Sequence, residues 1–310
     1  MKFCRVKNWH KIENQIIKDP NNENLREKFL NDVSNKLKPF FETSYFIRDL
    51  FHYNYEPVYY PSISSRKQIV FRGGNLETKK YILSIGAADC FGVFHDEPLS
   101  HKIEKLTNLQ VVNLGLGGKG IIFYKEFIYN FEEIASKAEL IFCHLNSLRS
   151  HPLSGLRTLN GGRIALDEDD RKINIHQELS DLQQNDFEKF KYEILNIQLE
   201  TFKVYKKLFK NISVPKILLI ISNKPKPTPL TIDGYNNSRP RGGGFPHYLT
   251  VAYQDFLKEI FDHTIISDDC HRTTKIIDRF NKSIRKNDYY VSQLTINKIF
   301  SQLKKKIFSK

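Results

Sequence analysis

Five polar clusters in this chain carry side chains able to do chemistry, and each follows a short apolar run. In Y-I-L-S-I-G-A-A-D-C-F-G, residues 81–92, Asp89 and Cys90 sit in a turn bounded by Gly86 and Gly92. Cys90 fits two roles: a thiolate nucleophile if a helix start and a histidine are close, or a small buried group supporting the turn. Asp89 also fits two: a base directing an exogenous hydroxyl in a transfer without a covalent intermediate, or a cap on the following helix. Ser84 precedes the glycine, inside the apolar run, where its hydroxyl is expected to bond to backbone.

The second cluster, N-L-G-L-G-G-K-G, places Gly115, Gly117, Gly118 and Gly120 around Lys119. Such spacing permits a backbone nest for phosphate, sulfate or an oxyanion, and it equally suits close packing of a helix on a strand. The third, C-H-L-N-S-L-R-S-H-P, offers Asn146, Arg149 and His151, with Arg157 and Arg163 beyond. Guanidinium forks match carboxylate, phosphate and sulfate, although the nearby L-D-E-D-D-R can neutralise them locally. In the fourth, K-P-K-P-T-P leads to N-N-S-R-P-R-G-G-G-F-P-H-Y, where Arg239 and Arg241 could clamp an anion from a lid or lie on an ordinary surface loop. The fifth, S-D-D-C-H-R-T-T, pairs His271 with Asp268 or Asp269 in the manner of an acid–base histidine and its orienting carboxylate.

Several chemistries lack their residues. No H-x-x-x-H or H-E-x-x-H pair is present, so no metal site is expected. No G-x-x-x-x-G-K-[ST] appears, and the dinucleotide fingerprint lacks its acidic residue, so no cofactor is expected.

The elements that must position these clusters alternate. Tyr81–Ile85, Gln110–Leu114, Glu139–His144, Lys216–Ser222 and Thr264–Ser267 are Ile-, Val- and Leu-rich runs of the kind buried on both faces of a parallel sheet. Helical periodicity fills Pro98–Leu106, Ile121–Lys137, about Glu178–Phe209, Tyr248–Phe261 and Ser292–Phe308. The expected architecture is α/β, a flavodoxin-like three-layer fold around a five-stranded parallel sheet, with every cluster at the carboxyl edge where ligands bind. Ahead of it, residues 1–66 read as an amphipathic helical extension and linker, with the α/β domain spanning 67–310.

The ordered clusters resemble the blocks of the SGNH (GDSL) esterases and acetyltransferases over roughly Tyr81–His271. N-L-G-L-G-G matches the second block through Gly115 or Gly118, H-L-N-S the third through Asn146, and D-D-C-H the last through Asp268 and His271. His144 and Ser147 stand where the third block has glycine and aspartate, and Ala88 stands in the place of the nucleophilic serine. F-R-G-G, G-A-A-D-C-F-G and N-L-G-L-G-G together are more similar to an SGNH-like bacterial family whose first block reads G-x-x-E-T-F-G. An alanine methyl cannot attack a carbonyl, so the serine-esterase route is closed at this position. The resemblance implies a protein that acts on or binds glycans, as an acyl- or other group transferase using a histidine base. The alternatives are a non-catalytic anion- or glycan-binding module and a basic nucleic-acid binder.

Bulk properties set the outer bounds. The chain has 310 residues, 40% of them hydrophobic, and a formal charge of +13. That charge divides into about +6 for residues 1–80, about −2 for 81–270 and about +9 for 271–310, so the excess lies at the ends. It forms no nucleic-acid signature, so nucleic acid is disfavoured; a glycan or anionic small molecule is the partner that the family resemblance implies. The four cysteines are scattered singly, no run is long enough for an integral membrane segment, and no leader pattern opens the chain, so a cytoplasmic location is expected.

Overall fold

The computed structural model describes residues 71–92, 95, 97–151, 153–158, 164–221, 230–236, 246–266 and 292–308, with residues 4, 5, 18, 19, 22, 24, 25, 28, 58, 59, 63, 276, 277, 283 and 284. Five strands form one parallel sheet: β1 Tyr81–Ile85, β2 Gln110–Asn113, β3 Ala138–His144, β4 Lys216–Ile220 and β5 His263–Ile266. Their order across the sheet is β2-β1-β3-β4-β5, the flavodoxin-like arrangement the sequence predicts. In that order the chain steps from β1 to β2 on one side and then returns to β3 on the other. A crevice therefore opens beyond the carboxyl ends of β1 and β3.

Each strand is apolar on both sides because each side meets a helical layer. Leu83, Ile85, Val112, Ile141, Leu218 and Ile220 face one core, and Ile82, Val111, Phe142, Ile217, Leu219 and Ile265 face the other. The sequence-adjacent helices are α1 Ala88–Phe91, α2 Leu99–Thr107, α3 Ile121–Phe127 and α4 Phe131–Ser136. They are followed by α5 Ile175–Asn185, α6 Phe187–Phe209, α7 Val251–Lys258 and α8 Gln293–Leu303. The first core is closed by α3 to α7, the second by Leu99 and Ile103 of α2 and Ile296, Ile299 and Leu303 of α8.

Two helices expected to be continuous are broken. Ile121–Lys137 divides at Asn130, whose φ of 53° lies in the left-handed region that asparagine tolerates better than most residues. The stretch expected at Glu178–Phe209 divides at Asp186, whose carboxylate accepts from the N–H of Lys189 and so caps the new start of α6. Between β3 and α5 lies an antiparallel sheet that the expectation lacked, built from Arg157–Thr158, Ile164–Leu166 and Lys172–Asn174. Its second turn is closed by Asp167, which accepts from the N–H groups of Asp169 and Arg171.

Most of the expected extension at 1–66 lies outside the described residues. Within it, Cys4–Arg5 pairs antiparallel with Val58–Tyr59. Ile63, assigned to a linker by sequence, is buried in the first core, and its carbonyl accepts from the N–H of Tyr129 at 2.6 Å. Among the described residues, no helix is long and apolar enough to cross a membrane.

Candidate functional site

The turn after β1 is fixed from below by one phenol. The hydroxyl of Tyr124 accepts from the N–H of Gly86 at 2.9 Å and lies 2.7 Å from the carbonyl of Gly86 and 2.8 Å from that of Leu114. It thereby ties the ends of β1 and β2 to α3. Gly86 has φ +156°, and a Cβ there would stand 2.7 Å from Cβ of His144 and 2.8 Å from Cβ of Cys90. Glycine lets the turn pass between those two side chains.

Asp89 does not cap α1, which has no side-chain cap. Its Oδ2 instead lies 3.2 Å from Nδ1 of His144 at the end of β3, with side chains 9% and 2% exposed respectively. The pair sits where the sheet order reverses, between β1 and β3. The other carboxylate oxygen of Asp89, Oδ1, is buried without a partner among the described residues. Ala88 is half-buried at the start of α1.

Cys90 is buried among polar partners. The thiol is 3.2 Å from the hydroxyl of Ser84, donates to Oδ1 of Asn113 at 3.4 Å, and belongs to a buried residue. Burial pushes its pKa well up, so the thiolate that nucleophilic attack needs is suppressed. Ser84 accordingly bonds to a side chain, where a backbone partner was expected.

The glycines of the second cluster do separate jobs. The N–H of Gly115 is already donated to Oδ1 of Asn113 at 2.9 Å. A Cβ at Gly115 would lie 2.5 Å from the backbone nitrogen of Phe91, so glycine is needed for close packing on α1. Gly117 is buried, whereas Gly118 is exposed with φ +77° and open space around it. Gly120 faces Ser150, whose Cβ would be 2.9 Å from an added Cβ. The Lys119 ammonium lies over the ring of Phe123, 5.6 Å from its centroid.

Beyond β3 the chain leaves a small cavity of about 10 Å³, room for about one water molecule. Gly120, Asn146, Ser147, Ser150, His151 and Thr201 line it, the last reaching in from α6. Asn146, His151 and Thr201 are 8%, 8% and 5% exposed. Among the described residues, both polar atoms of the Asn146 carboxamide, Nδ1 of His151 and Oγ1 of Thr201 are buried without a partner. Burial pushes the pKa of His151 down to about 4, so its ring is neutral near pH 7. Ser147, beside Asn146, has its hydroxyl 3.1 Å from Nδ1 of His247. The His247 ring packs 4.8 Å from that of His176, and Nδ1 of His176 is 3.0 Å from the Tyr248 hydroxyl.

Of the residues singled out by sequence, Asp89, Cys90, Asn146 and His151 are therefore gathered at the carboxyl edge. Arg149 enters through the backbone of the 3₁₀ turn Leu148–Ser150. Arg157 is drawn away into an exposed ion pair with Asp170. Arg163, Arg239, Arg241, Asp268 and His271 lie outside the described residues. Sequence reasoning missed Tyr124, His176, Thr201 and His247, and it noted His144 and Ser147 only as departures from glycine and aspartate. Its one usable signal was position: His144 ends a strand, and Ser147 follows it by three residues. Among the described residues, no group of three or more His, Cys, Asp or Glu is placed to hold a metal ion.

Fold and site together define a doubly wound α/β protein with a polar crevice at the carboxyl edge of its sheet. No family model and no curated protein matches the chain. Among solved structures it is similar to a protein described as lipolytic, of the G-D-S-L family, from Desulfitobacterium hafniense DCB-2. That likeness has 12% identity and a TM-score of 0.32, and covers 74% of this chain and 99% of the other. It is also similar to a carbohydrate esterase family 2 enzyme with a carbohydrate-binding domain from Corynascus thermopiles (Myceliophthora fergusii). There the identity is 12%, the TM-score 0.40, and the coverage 78% of this chain and 69% of the other. At these TM-scores the likeness adds nothing to the strand order, which defines the architecture by itself.

Proposed function

We propose that this protein moves an acyl or related group to or from a hydroxyl of a glycan at the carboxyl edge of its sheet, without using residue 88. One observation carries the reading: the unpartnered polar atoms of Asn146, His151 and Thr201 all belong to side chains lining one pocket. A buried polar atom left unpaired costs about 1–3 kcal/mol, so such a concentration is expected where a buried water or a ligand group supplies the partners. A carboxamide, a neutral imidazole and a hydroxyl offer donors and acceptors without charge. The cavity has room for about one water or one hydroxyl group, which both donates and accepts and so matches that lining better than an anion does.

A second reading of the chemistry rests on Asp89. With Oδ2 on His144 and Oδ1 unpartnered, the carboxylate is set to receive the proton of an acceptor hydroxyl, so that transfer proceeds without a covalent intermediate. Asp268 and His271 are the alternative base pair, on the strength of their place in the sequence. The test is a panel of acylated oligosaccharides and acyl donors, read by released or transferred acyl group. Asn146→Ala is expected to lower turnover on the order of 10²-fold, as for loss of one oxyanion donor. Asp89→Asn and His271→Gln separate the two bases. Turnover unchanged by all three substitutions would sink the proposal, and tight glycan retention without turnover would make the protein a binding module.

A further inference from the structure

The cavity beyond β3 is small, enclosed by buried side chains and short of hydrogen-bond partners. Its volume of about 10 Å³ admits one water and nothing larger. Asn146 and His151 flank the 3₁₀ turn Leu148–Ser150, Thr201 reaches in from the middle of α6, and Gly120 and Ile121 at the start of α3 close another side. Among the described residues, the carboxamide of Asn146, Nδ1 of His151 and Oγ1 of Thr201 have no partner. No charged side chain lines the space, and the His151 ring is neutral near pH 7.

We propose that one ordered water occupies this cavity in the free protein, bonded to the Asn146 carboxamide, to Nδ1 of His151 and to Oγ1 of Thr201, and that a substrate hydroxyl enters by taking its place. Three bonds are the usual number for a buried water. The two polar atoms of a carboxamide point apart, so one water takes one of them and the count stays at three. The Thr201 hydroxyl donates or accepts by rotating, and a neutral imidazole presents Nδ1 in either sense according to its tautomer. Water, with two donors and two acceptors, fits every combination. An ion of either sign would be buried against a lining that carries no countercharge. A dry cavity fits no better, because cavities that stay empty are apolar and buried polar atoms in native folds find partners.

The water joins the segment after β3 to α6 through side chains from both. It also sets what the site selects. The displacement step rests on the group-transfer reading, whereas the water itself stands without it. A hydroxyl reproduces the bonds of the water it displaces, but a hydrogen leaves the same atoms unpaired, and a methoxy group adds a carbon for which the cavity has no room. The site therefore favours a sugar with a free hydroxyl at one position over its deoxy and O-methyl analogues.

The experiment is a crystal structure of the free full chain in which ordered solvent is located, joined to a double-mutant cycle. One water should stand within about 2.7–3.2 Å of an Asn146 carboxamide atom, of Nδ1 of His151 and of Oγ1 of Thr201. Asn146→Ala and Thr201→Val each remove one bond to the same water. Their combined effect on the unfolding equilibrium constant, read by urea, should therefore differ from the product of the two single effects by about threefold or more. Thr201→Ser keeps the hydroxyl and should keep the water, which preserves a test if Thr201→Val fails to fold. An empty cavity, an ion in the water's place, side chains bonded directly to one another, or effects that multiply to within about twofold would each overturn the assignment. Crystals soaked with an oligosaccharide that the acyl panel shows to react should carry a sugar oxygen where the water was; a water still in place beneath the bound sugar overturns the displacement. A panel without turnover sinks the group-transfer reading, and the water in the free protein then supports its own site alone.

Discussion

Tyr124→Phe deletes one buried oxygen and should cost about 2–3 kcal/mol of folding stability, because of what that oxygen leaves behind. The residue is fully buried, and its hydroxyl serves the N–H of Gly86 and the carbonyls of Gly86 and Leu114. The Gly86 carbonyl keeps a second partner, the N–H of Leu116 at 3.1 Å. The Gly86 N–H and the Leu114 carbonyl lose the bonds described here. A buried donor without an acceptor costs about 1–3 kcal/mol, and the second broken bond adds about 1 kcal/mol or less where the carbonyl is partly compensated. No volume is lost beyond the hydroxyl, so a packing defect contributes little. Urea unfolding of wild type and variant measures the difference, which should appear as a lower midpoint at unchanged slope. A change below about 0.5 kcal/mol would refute the reasoning, since it would mean that the phenol does not hold the turn.

Three further outcomes follow from the same region. Gly86→Ala should destabilise by on the order of 3 kcal/mol, since its Cβ meets two other β-carbons that cannot swing away and the backbone sits at φ +156°; calorimetry would show near-normal melting if that packing is wrong. His151, with a pKa lowered to about 4 by burial, is neutral in the fold, so its contribution is complete above about pH 6.5 and is lost as pH falls from there through about 4. His151→Gln should flatten that part of the stability–pH curve, and NMR titration of the ring should show no protonation above about pH 5. Cys90, buried and with its pKa raised, should resist iodoacetamide in the native protein and react once urea unfolds it; rapid native labelling at Cys90 would restore it as a nucleophile.

The sequence by itself determined the sheet. Runs such as Tyr81–Ile85 and Lys216–Ile220 are apolar on successive residues, which only a strand covered on both faces can bury, and the helical periods between them require parallel crossovers. It also placed polar residues at the carboxyl edge, because each apolar run ends in them. What it did not determine was which side chains meet there. Asp89 and His144 are 55 residues apart, and Ser147 and His247 are 100 apart. Local propensity carries no information over those separations; the strand order and the register of β3 beside β1 bring them together. The contacts made by Asp89 and Cys90 were decided the same way. Both lie in one turn and neither differs in local pattern from its alternative, yet Asp89 reaches the end of β3 while Cys90 turns inward toward Ser84 and Asn113. Even the glycine at 115 reads ambiguously until the backbone of Phe91 is found 2.5 Å from where its Cβ would be. Periodicity encodes which faces are buried, whereas the partners across a crevice are decided by elements that only the folded chain makes neighbours.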